Sequence, residues 1–152
     1  MSVESVRSFF KDKGLEDPVM VLEESSATVD LAAKAIGVEP ALIAKTLALR
    51  LKDEDILIVT KGDARIDNKK YKEFFSTKAK MIDLEEVEQI TGHPVGGVCP
   101  FGLKSDLKIF LDVSLKQFEY VYPAAGSKNS ALKITPDDIQ KLTNAQWIDV
   151  CQ

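Results

Sequence analysis

Few side chains in this chain could make or break a covalent bond. There is one histidine, His93, and there are two cysteines, Cys99 and Cys151. A catalytic thiol needs a depressed pKa and a positioned base, and His93 is the only imidazole that could serve Cys99. Two cysteines without CxxC spacing and one histidine fall short of a four-ligand zinc set, so no metal or cofactor is expected. No G-x-S-x-G, HExxH, GxGxxG or P-loop pattern occurs. The remaining chemistry is that of binding, in which fixed donors grip a ligand and stabilise charge that develops on it.

Four segments offer such donors. Lys45 lies in an apolar neighbourhood of Leu42, Ile43 and Leu47. A lysine there either snorkels out from a core edge or, partly desolvated, holds a phosphate or carbonyl oxygen. Lys61 to Asp67 reads Lys-Gly-Asp-Ala-Arg-Ile-Asp and passes from a strand to an electropositive helix start. Arg65 could fork onto a phosphate there, or Asp63 and Arg65 could form a surface ion pair. Gly96-Gly97-Val98-Cys99-Pro100-Phe101-Gly102 exposes main chain at close range, in a shape that proline fixes. Its amides could stabilise an oxyanion, or the loop is a tight turn with Phe101 plugging the core. In Ala124 to Ser130, Ser127 and Asn129 could bond a ligand or satisfy their own turn.

These segments need elements to hold them. A helix is expected from Ser2, its cap, to Gly14, with Val3, Val6, Phe9 and Phe10 at helical spacing. A short strand follows at Val19 to Leu22. A second helix runs from Thr28 or Ser26 to Gly37, and a short one opens at Pro40 and runs through Ala44. From Lys45 the period becomes two, and Lys45 to Leu51 with Ile56 to Thr60 predicts a hairpin. Asp67 caps a helix through Phe75, and Asp83 with Glu86 has capping-box spacing before a helix ending near Gly92. Short strands are expected at Lys80 to Ile82, Lys108 to Asp112, Glu119 to Tyr122, Ala131 to Ile134 and Trp147 to Cys151. Thr135-Pro136 opens a last helix. Intermixed helices and hairpin strands predict an α+β fold with a mixed sheet.

At 152 residues the chain fits one domain, 1–152, and a composition 45% hydrophobic excludes a disordered one. Reduced cysteines and no signal-peptide or bilayer-length apolar run favour a cytoplasmic, membrane-free protein.

Taken in order, Ile43 to Leu47, Lys61 to Asp67, Thr91 to Gly102, Leu111-Asp112 and Ala124 to Ser127 resemble the YbaK/prolyl-tRNA-synthetase-associated editing domain. The resemblance runs from about Ser26 to the last helix. It implies a mixed, partly barrel-like sheet flanked by helices. It also implies a free-standing deacylase that hydrolyses the ester of mischarged tRNA, with Cys or another small amino acid on tRNA for proline as the expected substrate. Lys45 corresponds to the family's retained lysine, which holds the 3′ aminoacyl end. Gly96 and Gly97 fall in its G-x-x-x-P loop, expected to supply the catalytic amides, with Val98, Cys99 and Pro100 lining the aminoacyl pocket. Asp63, Arg65, Asp112, Ser127 and Asn129 are expected near that pocket. Cys99 stands where relatives often carry Ser or Thr.

The expected partners are the 3′ end of mischarged tRNA and prolyl-tRNA synthetase, with the chain a monomer or a homodimer. Two other readings use the same residues: a module that binds an aminoacyl-nucleotide or tRNA end without cleaving it, and a thiol-dependent protein using Cys99. The net charge of −4 is no obstacle to tRNA. Between Lys61 and Lys80 seven cations stand against three anions, a local +4 that leaves −8 for the remainder. Local charge is what matters within a Debye length of roughly 8 Å.

Overall fold

A computed structural model describes residues 2–152, and Met1 falls outside them. The helices are α1 (Ser2–Asp12), α2 (Val29–Ile36), α3 (Asn68–Phe75), α4 (Leu84–Thr91) and α5 (Pro136–Thr143). The strands are β1 (Met20–Val21), β2 (Ile43–Arg50), β3 (Asp55–Lys61), β4 (Lys108–Asp112), β5 (Tyr122–Pro123), β6 (Ser130–Ala131) and β7 (Gln146–Ile148). Five strands form a sheet in the order β5-β2-β3-β4-β7, and β1 pairs with β6 separately. Only the β2–β3 pairing in the larger sheet is antiparallel, so the fold is α+β with a mixed sheet. Single bridges Val121–Ile134 and Ala124–Ala131 carry the sheet past β5 toward β6. No described strand closes the sheet into a barrel.

The helix boundaries follow from their caps. Thr28 accepts from the Leu31 amide and Gly37 ends α2 at φ 86°, a left-handed conformation that glycine adopts without a Cβ penalty. Asp67 accepts from the amides of Lys69 and Lys70, and Thr135 from that of Asp138 ahead of Pro136. Three local expectations give way to tertiary contacts. The Pro40 turn is a single 3-10 turn, Pro40–Leu42, and β2 begins at Ile43. Ala44 and Lys45 therefore lie within the strand, because Ile43 and Ala44 pair with Tyr122 and Pro123. The Asp83–Glu86 capping box does not form. The Asp83 side chain makes no capping bond, and Glu86 turns instead to Arg50, at 3.2 Å, where a guanidinium already held by Asp55 gives a stronger partner. Lys80 to Ile82 contributes one bridge, Leu49–Met81, rather than a strand.

Strand β3 is central, and Ile56 through Thr60 are all buried, as a strand covered on both faces must be. One core layer unites Val6 and Phe10 of α1 with Phe101, Leu111, Leu115 and Ile139. Phe101 packs 5.0 Å from Phe10 and 5.6 Å from Phe9 between ring centroids. The opposite layer sets Tyr71 and Phe75 of α3 against Phe110 and Ile58. Among the described residues no helix is long and apolar enough to cross a membrane.

His93 belongs to this core. It is fully buried, and its Nε2 lies 2.7 Å from the Phe101 carbonyl, so the neutral ring donates there. Burial lowers its pKa, because desolvation disfavours the imidazolium. The unfolded chain, with an ordinary His pKa near 6.5, then binds the extra proton first. Stability is therefore expected to be full above about pH 6.5 and to fall as the pH drops from there through the lower folded value. Urea unfolding at pH 7.5 and 5.5 checks this, and His93→Gln, which can keep the donor, should remove the His-dependent part of the fall.

Candidate functional site

An apolar cleft of about 490 Å³ opens beside β2. Its floor is the β2 segment from Ile43 to Ala48, and one side is the start of α2, with Thr28, Val29 and Ala32. Met81, Leu84 and Val87 also line it, and Val98 of the glycine loop packs against the cluster that holds Ile82 and Val87. Val95, Gly96, Tyr122, Ala124 and Ser130 complete the lining. The cleft opens here because pairing along the edge of β2 is interrupted. Strand β5 pairs as far as Ala44, and the next contact on that edge is the Ile82 amide donating to Ala48, at 3.0 Å.

Of the residues that sequence reasoning singled out, Lys45, Gly96 and Val98 line this cleft. The Lys45 ammonium donates to the Ala64 carbonyl, which ties the cleft to the Lys61–Asp67 loop. Burial is the largest influence on this amine and lowers its pKa; Cys151 and Asp63 oppose that effect and Arg65 adds to it. Asp63 and Arg65 are exposed on either side of buried Ala64. Asp63 pairs with Lys61 at 3.5 Å rather than with Arg65.

The other predicted residues support the cleft from outside its lining. The Gly97 amide donates to Pro94 at 2.9 Å, and its carbonyl accepts from Gly126 at 3.0 Å, so that amide is already engaged. Cys99 is fully buried. Its sulfur lies 3.6 Å from His93 Nε2 and 3.6 Å from the Phe101 carbonyl, and burial pushes the thiol up to about 12. That is opposite to what a nucleophile requires. Pro100 is buried beside it. The Asp112 carboxylate, 1% exposed, takes the amides of Ser114 and Val150, each at 2.9 Å. Ser127 Oγ lies 3.0 Å from Asn129 Oδ1 and 2.7 Å from Ser130 Oγ, while Asn129 Nδ2 donates to Leu22 at 3.2 Å. These polar groups fix the turn against the start of α2, where the Ser26 amide donates to Lys128 at 2.6 Å.

Sequence reasoning missed Thr46, Ser130 and the Met81–Val87 wall. Thr46 had only its place beside Lys45 as a signal, and the wall is assembled by tertiary packing.

Among the described lining residues, Lys45 and Asp83 are the charged ones, and none is Cys or His. Fold and cleft together define an α+β domain whose cleft presents one lysine, one carboxylate and main chain within an apolar lining. A family model described as the aminoacyl-tRNA editing domain matches residues 23–142, and the chain belongs to that family. It is 50% identical to YwhH of Bacillus subtilis (strain 168), an uncharacterized protein, over 100% of this chain and 98% of that one. It is 28% identical to EbsC of Enterococcus faecalis (strain ATCC 700802 / V583), over 84% of this chain and 79% of that one. EbsC is named as a candidate Cys-tRNA(Pro)/Cys-tRNA(Cys) deacylase. A crystal structure described as a candidate trans-editing enzyme for prolyl-tRNA synthetase superposes with a TM-score of 0.89 at 28% identity, covering 99% of this chain and 97% of that one.

Proposed function

We propose that this protein is a trans-acting aminoacyl-tRNA deacylase, which hydrolyses the ester of tRNA for proline carrying Cys or another small amino acid. The observation that carries the reading is the half-buried Lys45 in the lining of an apolar cleft. An aminoacyl ester is already activated, so holding it against an oriented water, or a group of the substrate itself, supplies much of what its hydrolysis needs. Lys45 holds the 3′-terminal phosphate or ester oxygen by its charge. Gly96 and Val98 bring main chain to the reacting carbonyl, and Gly97 holds their loop in place. Val29, Met81, Leu84 and Val87 bound the aminoacyl side chain, and one methylene of misfit there is worth only about 1–3 kcal/mol. Lys69, Lys72, Lys78 and Lys80 are exposed on and after α3, where the acceptor stem makes a one-sided, salt-sensitive contact.

The test is deacylation of tRNA for proline charged with Cys, Ala or Ser. Hydrolysis of at least one, well above the spontaneous rate, is the expected result. Affinity for the charged tRNA with an unchanged ester lifetime would mean a binding module instead.

A further inference from the structure

The break in the β2 edge has a defined chemistry. Arg50 donates its amide to Lys80 at 2.8 Å, and Ala48 accepts from Ile82 at 3.0 Å, both on the side away from β3. In an antiparallel ladder, residues two apart send N–H and C=O to the same side. Thr46 therefore directs its main-chain N–H and C=O to the same open edge as Ala48. Ala44, two residues the other way, is paired with β5. The gap between the two pairings spans about 13 Å of strand and contains one outward-facing residue. Thr46 lines the cleft, and its hydroxyl is buried with no hydrogen-bond partner. A buried unpaired hydroxyl is costly unless a ligand pairs it.

We infer that the aminoacyl group of the substrate takes the missing residue's place in the sheet, with Thr46 as its partner. An aminoacyl ester carries an α-ammonium and a carbonyl on adjacent carbons, the same donor and acceptor that a neighbouring strand residue would offer. The ammonium donates to the Thr46 C=O and Oγ, and the Thr46 N–H donates to the ester carbonyl. That second bond strengthens as the carbonyl becomes an oxyanion. The inference rests on the deacylase reading and adds to it a demand for a free α-amino group.

The test compares Thr46→Val with the wild type on Cys-charged, Ala-charged or Ser-charged tRNA, whichever is hydrolysed, and on the same ester with its amine replaced by hydroxyl. Valine keeps the β-branched shape and removes only Oγ. Thr46→Val should lower kcat/KM about 10- to 100-fold on the amino ester, but less than about threefold on the hydroxy ester, at a melting temperature that holds or rises. Equal losses on both esters would assign Thr46 a structural role and overturn the inference. So would an amine-dependent loss in Asp83→Asn in place of Thr46→Val, since Asp83 is the cleft's carboxylate. A wild-type protein that cleaves none of the esters would instead remove the deacylase reading itself.

Discussion

Lys45→Ala is expected to lower deacylation of mischarged tRNA by about 10²–10³-fold, the scale of removing one positioned electrostatic group, while leaving the protein folded. The expectation rests on an asymmetry in the lysine's position. Its ammonium is half-buried, and its partner is a neutral carbonyl, that of Ala64. Removing a desolvated charge that no carboxylate bonds directly relieves a cost, so the melting temperature should hold or rise. Lys45→Met, which keeps most of the apolar stem, separates lost charge from lost packing and should be as inactive as the alanine variant. Lys45→Arg should recover little, because a planar fork does not place its charge where a compact ammonium sits. Burial also lowers the lysine's pKa. Wild-type activity that depends on the cation should therefore decline on the alkaline side before the 10.5 of an ordinary lysine. Full activity in Lys45→Ala, measured as the half-life of the charged tRNA, would remove the lysine from the mechanism.

Much of the scaffold was legible because its signals are local. Thr28 and Gly37, Asp67, and Thr135 with Pro136 each bound a helix by satisfying its end groups within a few residues. The β2–β3 hairpin followed from period-two spacing, and Phe101 as a core plug was one of the two readings its glycine-rich stretch allowed. The resemblance to the editing domain, rather than any local signal, pointed to the loops expected near a pocket. It could not show which atoms enter it. Gly96 and Gly97 are neighbours of one type, yet one lines the cleft and the other spends its amide on Pro94. Asp112 and Arg65 are both charged residues in promising segments, yet one is buried on the amides of Ser114 and Val150 and the other is exposed. Glu86 had the spacing of a cap and took Arg50 instead. In each case the outcome depends on partners distant in sequence. The gap at Thr46 is the extreme case, since it is defined by where two other segments stop pairing.

Gly97→Ala is expected to damage both stability and activity, although Gly97 does not line the cleft. A Cβ on Gly97 would stand 2.6 Å from the Ser127 nitrogen and 2.8 Å from the Gly126 carbonyl carbon. Those are main-chain atoms and cannot rotate away. Nor can their turn retreat, because a Cβ on Gly126 would meet Ser2 of α1 at 2.6 Å, and Ser2 Oγ bonds the Gly126 carbonyl. The turn is thus held between the glycine loop and a helix whose Val6 and Phe10 are in the core. The added methyl must force the two loops apart and stretch the 3.0 Å bond from Gly126 to Gly97. Overpacking of this kind costs about 1–3 kcal/mol or more. The same shift moves Gly96 and Val98 away from Ala124 and Ser130 across the cleft, and a misplacement near 1 Å can cost about 10²-fold in rate. Gly37→Ala is the control. It has open space around it but a φ of 86°, so it should lose about 1 kcal/mol to backbone strain alone and keep its rate. Urea unfolding and single-turnover deacylation of both variants decide the matter: equal rates in the two would show that contact between the loops does not shape the site.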